Sequence, residues 1–181
     1  MNDLLEFFSG WAVGLLKKRS TRVKQWERKP VGSGGGKHIF SDARVSARLN
    51  SPMTTFTETT ARITVSVEPN PIDGECQIKD GVYVFAYTVH IENHSEETVQ
   101  LMERHWMIES AGEQIGEVTG PGVIGVQPVL KPGEKFDYTS STVIRDPIGA
   151  MKGSYVFKRS SGGMFVVQIP RFMLLYPTMY H

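Results

Sequence analysis

One glycine-rich segment has a spacing that binds phosphate in other proteins: Gly120, Gly122 and Gly125 form the pattern G-x-G-x-x-G. In a dinucleotide-binding fold, this pattern follows a strand and opens a helix whose first N–H groups meet the pyrophosphate. Here Pro128 and Pro132 follow, so no helix can begin where the motif needs one, and Pro121 lacks an N–H donor. Rossmann-type binding is therefore excluded. Two interpretations stay open: an anion-binding nest without a helix, or a loop between two sheets whose glycines supply positive φ.

Three histidines, His90, His94 and His105, raise the question of a metal site. His90 and His94 are four residues apart in a segment with strand periodicity. On a strand this spacing separates them by about 13 Å, too far to chelate one ion alone. Nearby carboxylates could add oxygen ligands for a hard cation, but a polar turn and an outward-facing strand residue explain the same pattern. We therefore predict no metal site.

The run Arg104-His105-Trp106 lies in the middle of a predicted strand. A buried tryptophan is usual in β-sandwiches, so we predict that Trp106 packs in the core. Arg104 and His105 would then form a polar spot near the glycine loop, and we include both in the candidate anion site. No serine, threonine or cysteine has an identifiable base beside it, so we predict a protein that is not an enzyme and has no cofactor.

A basic arm at residues 17–29 contains seven Lys or Arg in thirteen positions. Several cations with an aromatic among them suit RNA, through phosphate neutralisation and base stacking. A protein partner, an anionic membrane surface and a solvated helix face are the alternatives. The candidate RNA contacts are Lys17, Lys18, Arg19, Arg22, Lys24, Trp26, Arg28 and Lys29.

The charge of the chain is divided unequally, although its net value is only +1. Residues 1–52 carry a net charge of +6 and residues 53–181 carry −5. The single cysteine, Cys76, rules out an intramolecular disulfide and favours a reducing intracellular compartment. No run approaches the roughly 20 apolar residues of a membrane span. Acidic Asp3 and Glu6 in the first residues argue against a targeting sequence, so we expect these residues to be a working part of the protein.

The periodicity divides the chain into an extension and a body. Within residues 1–60 we predict an amphipathic helix at 2–29, a glycine-rich joint at 32–36 and an irregular strap at 37–60. From residue 61 the apolar period becomes two, and seven short strands alternate with turns, including hairpins at 110–113 and 160–163. This pattern predicts an all-β, immunoglobulin/fibronectin III-like antiparallel sandwich over 61–177, with a tail at 178–181.

Several runs of the body resemble the ApaG domain family. They are Gly81 to Asn93, Val99 to Ile108, Gly116 to Leu130, Pro132 to Ser140, Met151 to Tyr155, Gln168 to Phe172 and Leu175 to Pro177. The resemblance implies a fibronectin III-like sandwich. It also implies a protein-interaction module, because ApaG domains are appended to F-box proteins and to a polymerase-delta-interacting protein. The bacterial name is tied to cobalt and magnesium resistance.

Two functional readings follow. In the first, a non-catalytic ApaG-domain scaffold is anchored by its basic arm in a larger assembly with protein partners and RNA, such as the mitochondrial ribosome. Its compartment would then be the mitochondrial matrix. In the second, a stand-alone ApaG-type protein, cytoplasmic, binds a phosphorylated small molecule or a divalent cation through residues 119–127.

Overall fold

The computed structural model describes residues 54–177, which form nine strands and two short 3₁₀ turns, Asp73–Glu75 and Ile78–Asp80. The strands are β1 Phe56–Thr60, β2 Ile63–Pro71, β3 Tyr83–Asn93, β4 Val99–Ser110, β5 Glu113–Pro121, β6 Val129–Leu130, β7 Lys135–Ile144, β8 Ile148–Arg159 and β9 Met164–Leu175. The predicted helix, the joint, positions 37–53 of the strap and the tail lie outside the described residues.

The strands form two antiparallel sheets. One has the order β1-β2-β3-β7, and the other has the order β5-β4-β8-β9 with β6 paired to β4. The predicted all-β, fibronectin III-like sandwich is therefore confirmed, and so are the two hairpin turns, at Ala111–Gly112 and at residues 160–163.

The core follows from the alternation in the sequence. On β2, Ile63, Val65 and Val67 are fully buried, and every second residue of β3 from Tyr83 to Ile91 is buried between the sheets. Trp106 on β4 is 3% exposed and lies between Tyr87, Tyr155 and Phe172, with ring centroids 5.5 to 6.2 Å away. This cluster joins one strand of the first sheet to three strands of the second, so the prediction that Trp106 packs in the core is confirmed.

The strap prediction is wrong for its last residues, because Phe56–Thr60 pair with β2 as strand β1. Two features hid this strand. Only Phe56 and Thr60 are even partly buried in a five-residue run, so no apolar alternation marks it. The turn to β2 is made by Ala61 and Arg62, both at positive φ, where hairpins normally carry Asn or Gly.

Strand β8 begins at Ile148, and two glycines in its first six residues, Gly149 and Gly153, interrupt the apolar alternation that would mark this start in the sequence. A Cβ at Gly149 would lie 2.5 Å from Glu109 O, and a Cβ at Gly153 would lie 2.0 Å from His105 O. Both glycines therefore allow β8 to approach β4 closely, and neither marks a turn.

We predict that Gly153→Ala destabilises the domain by about 1–3 kcal/mol, because the added methyl overlaps the backbone of β4. Urea unfolding measures the change. Gly74→Ala is the matched control, since a Cβ there meets nothing within 4 Å. Equal stabilities of the two variants would contradict the close approach.

An ionic cluster ties the strands of the second sheet together on its outer face. Glu109 on β4 accepts from Lys152 on β8 at 2.9 Å and from Arg171 on β9 at 2.7 Å, and its side chain is 15% exposed. Arg171 and then Lys152 hold the pKa of this carboxyl below its ordinary value of 4.5. A group whose folded pKa is depressed contributes stability above its unfolded pKa and loses it as the pH falls through the folded pKa.

We therefore expect Glu109→Gln to reduce the free energy of unfolding at pH 7, and we expect this difference to shrink as the pH falls below about 4.5. Urea titrations between pH 7 and 3 test this. Glu113→Gln, at an exposed carboxylate of β5 outside the ion pairs of residues 54–177, should show a smaller difference at pH 7. A penalty for Glu109→Gln that is independent of pH would refute the ionic role.

Candidate functional site

The predicted anion loop, which follows β5, forms a very tight hairpin. Val123 N donates to Val126 O at 2.8 Å, and Val126 N donates to Val123 O at 2.9 Å. The two residues between them, Ile124 and Gly125, both have positive φ. Gly122 N donates to Met102 O at 2.8 Å, which fastens this glycine hairpin, residues 120–127, to β4.

The glycines of this loop have a clear conformational role. A Cβ at Gly122 would lie 2.1 Å from Val126 O, and its φ of +56° already favours glycine. The N–H groups of Gly122, Val123 and Val126 donate to backbone carbonyls, so they are not available to an anion unless the hairpin opens. Ligand binding at Gly120, Gly122 and Gly125 stays a prediction.

Arg104 lies against the hairpin, as predicted. Its Nη1 donates to Pro121 O at 3.0 Å and to Gly122 O at 2.8 Å. Its guanidinium covers Gly120, where a Cβ would lie 3.5 Å from both terminal nitrogens. Arg104 is half-buried and forms no ion pair within residues 54–177. The side chain therefore acts as a clip that holds the end of β5 to β4.

Three buried tyrosines, Tyr87, Tyr138 and Tyr155, lie within reach of the positive charge of Arg104. Burial raises the pKa of each, and the positive charge of Arg104 opposes that rise. The hydroxyls of Tyr138 and Tyr155 hydrogen-bond each other, and Tyr87 lies opposite Ser140 in the register of β3 and β7. These phenols stay neutral at physiological pH, so the inner polar cluster is a hydrogen-bonded part of the core.

His105 does not join Arg104, because successive side chains of a strand point to opposite faces. Its Nε2 donates to Glu117 Oε1 at 2.7 Å on the outer face of the second sheet. His90 bonds Asp137 at 2.8 Å, and His94 lies 3.4 Å from Glu92. Within residues 54–177, no group of three or more His, Cys, Asp or Glu has metal-binding geometry.

A cationic depression lies where β4 begins and β8 ends, close to β6. Its volume is about 280 Å³. The register places Lys158 opposite Gln100 and Arg159 opposite Val99, with Val129 of β6 on the other side of Gln100. Its lining residues are Thr98, Val99, Gln100, Val129, Lys158, Arg159 and Ser160.

Neither cation of this depression is neutralised within the part of the chain that the structure describes. The ion pairs there use Arg62, Lys135, Lys152, Arg171 and histidines. The guanidinium of Arg159 lies 4.0 Å from the ring centre of Phe165, a cation–π contact that fixes its position on the face of β8 opposite to Lys158. Sequence reasoning missed this site because its halves are about sixty residues apart and no local spacing marks them.

The comparisons with known proteins agree with this architecture. A family model described as the ApaG domain matches residues 74–159. Protein ApaG of Rhodospirillum centenum is 47% identical over 119 residues, which cover 66% of this chain and 92% of that protein. The chain belongs to the ApaG family.

A further relative and a solved structure match the chain at similar identity. Protein ApaG of Caulobacter vibrioides is 42% identical over 130 residues, covering 72% of this chain and 93% of that protein. The crystal structure of the putative ApaA protein from Bordetella pertussis superposes with a TM-score of 0.62 at 42% identity, covering 65% of this chain and 95% of that one. The predicted family is thus confirmed.

Other predictions fall outside these findings. The candidate RNA contacts at residues 17–29 lie outside the described residues of this ApaG-family chain. Among the residues that are described, no helix is long and apolar enough to cross a membrane.

We predict that Arg104→Met lowers the stability of the ApaG domain by about 1–3 kcal/mol, because the carbonyls of Pro121 and Gly122 lose their charged donor. Amide hydrogen exchange should accelerate at Gly122 and Val123. Lys79→Met is the control, since Lys79 is exposed and takes part in none of the ion pairs within residues 54–177. Unchanged rates of amide hydrogen exchange at Gly122 and Val123 would show that the Arg104 side chain does not stabilise the hairpin.

Proposed function

We propose that this chain is a non-catalytic, stand-alone binding protein of the ApaG type, and that it binds a phosphorylated small molecule. The ligand site is the cationic depression at Lys158 and Arg159. The observation that carries the proposal is a concave surface of about 280 Å³ in which Lys158 shares a strand face with Gln100 and has no carboxylate partner within residues 54–177.

The chemistry of the lining suits a phosphoryl group. Lys158 supplies a mobile point charge on the same strand face as Gln100. Arg159 points to the other face of β8, toward Phe165, and adds positive charge at the border of the depression. Gln100 and the hydroxyls of Thr98 and Ser160 add neutral hydrogen-bonding groups at the same rim. The volume suits a small molecule, such as a phosphate ester, and is below the usual range of drug-sized pockets.

The length of the relatives supports the proposal that the ApaG domain binds its ligand by itself, without further domains. The matched region of this chain accounts for 92% of Protein ApaG from Rhodospirillum centenum, so a sandwich of this length makes up nearly all of that relative. The names of these relatives refer to neither RNA nor a ribosome. We therefore rank the RNA-associated assembly second.

The polar groups of the described residues support a binding role over a catalytic one. Each of His90, His94 and His105 is next to a carboxylate, and none has a hydroxyl or thiol nucleophile as its hydrogen-bond partner. Within residues 54–177, the hydrogen-bond partners of the Cys76 thiol are the backbone C=O and N–H of Val84. A phosphorylated ligand is preferred over a divalent cation because residues 54–177 contain no metal-binding cluster.

We expect isothermal titration calorimetry of the full chain with inorganic pyrophosphate to show saturable binding. Lys158→Gln should raise the dissociation constant at least about tenfold, because the ligand loses one charge-assisted hydrogen bond. Lys79→Gln removes the same charge at an exposed position on a 3₁₀ turn and should bind as the wild type does.

Two outcomes would contradict this assignment. Binding that is lost in Arg104→Met but kept in Lys158→Gln would place the ligand at the glycine hairpin. No saturable binding of pyrophosphate, phosphate or a sugar phosphate would exclude the proposed ligand class.

A further inference from the structure

The two sheets have four edge strands, and three of them are protected against pairing with another strand. Strand β1 is only five residues long, and its Thr60 Oγ1 accepts from Gln168 N of β9. Strand β5 has a register shift and ends at Pro121. Strand β9 contains Pro170 and has a register shift against β8. Short length, proline and bulges are the usual protections of sheet edges.

Within residues 54–177, the fourth edge, β7, has none of these three protections, and its charged side chains, Lys135 and Asp137, are paired with Glu92 and His90 of β3. Lys135–Ile144 is ten residues long, contains no Gly or Pro, and pairs with β3 through an unbroken register from Tyr83↔Ile144 to Glu92↔Lys135. Within residues 54–177, β3 is its only partner strand. A long and regular edge of this kind is a ready template for another strand.

The hydrogen-bond pattern shows which residues face this free edge. Asn93 N donates to Glu134 O at 3.0 Å, and bonding alternates along an antiparallel pair. The even-numbered residues of β7 therefore bond β3, and the odd-numbered residues point their N–H and C=O groups away from it. Arg145 N follows the same parity and donates to Ser110 Oγ at 3.2 Å, which marks the end of the open stretch. The open positions are Asp137, Thr139, Ser141 and Val143.

We propose that β7 pairs antiparallel with β7 of a second copy of this chain, with the two-fold axis at Thr139, so that the two β1-β2-β3-β7 sheets become one. In this register Asp137 lies opposite the partner subunit's Ser141, and Lys135 lies opposite the partner subunit's Val143. Odd-numbered residues meet odd-numbered residues, so the open N–H and C=O groups satisfy each other.

The side chains of β7 fit this partner. No charge lies directly opposite a like charge, which would be destabilising. The pair of threonines at the axis is compatible with this sheet, whose cross-strand pairs already include Thr88–Thr139, Thr59–Thr64 and Thr57–Ser66, with hydroxyls 2.9 Å apart. The edge is therefore self-complementary, and this is the reason for choosing a second copy over a foreign strand.

Sedimentation equilibrium of the full chain tests the proposal over a range of concentrations, and we expect a reversible dimer. Thr139→Pro should raise its dissociation constant at least about tenfold, because proline removes an N–H from the free edge. That N–H does not bond β3, so the variant should keep its circular dichroism spectrum. Thr139→Lys should act similarly by placing two ammonium groups opposite each other across the axis. Thr88→Lys is the matched control, on the same face but one strand inward, and should still dimerise.

A disulfide trap gives a second readout that does not depend on weakened association. In a Cys76→Ser background, Thr139→Cys should form a covalent dimer on mild oxidation, and Thr88→Cys should not. A wild-type chain that stays monomeric at every concentration would overturn the proposal. A dimer that persists in both folded Thr139 variants, and that Thr139→Cys does not trap, would overturn it as well.

Discussion

The burial of Trp106 between the two sheets is the interaction on which the rest of this structure depends. Its ring contacts Tyr87 of the first sheet and Tyr155 and Phe172 of the second, so one side chain fixes the relative position of four strands. Truncating a buried tryptophan costs about 3–5 kcal/mol, a large part of the stability of an ordinary domain. Because Arg104 precedes Trp106 by two residues on the same strand face, this packing also positions the Arg104 guanidinium against the glycine hairpin.

The same β4 strand connects the inner core to the candidate ligand site. Its first residues pair on one side with β6 and on the other with β8, which brings Val129 and Lys158 to opposite sides of Gln100. The hairpin at residues 120–127 sets the path of the chain into β6, so its glycines act on the depression through the backbone. In the function that we propose, the G-x-G-x-x-G pattern shapes the neighbourhood of the site, and Lys158 supplies the charge that binds the ligand.

The sequence allowed the sandwich, its hairpins and the burial of Trp106 to be predicted, because alternation and turn residues are local signals. It failed where local signals are absent. Phe56–Thr60 has no apolar alternation, and Gly149 and Gly153 look like turn residues although they allow close strand contact. The contact of Arg104 with the hairpin was anticipated. Lys158 and Arg159 were missed because their partners, near residue 100, are distant in sequence and only the register brings them together.

The most direct test of the central claim is an NMR titration of the ¹⁵N-labelled full chain with inorganic pyrophosphate, followed residue by residue. The account predicts saturable shifts at the amides of Thr98–Gln100 and Lys158–Ser160, with smaller changes at Gly120–Gly125. Shifts confined to the glycine hairpin, or no saturable shift anywhere in residues 54–177, would contradict it.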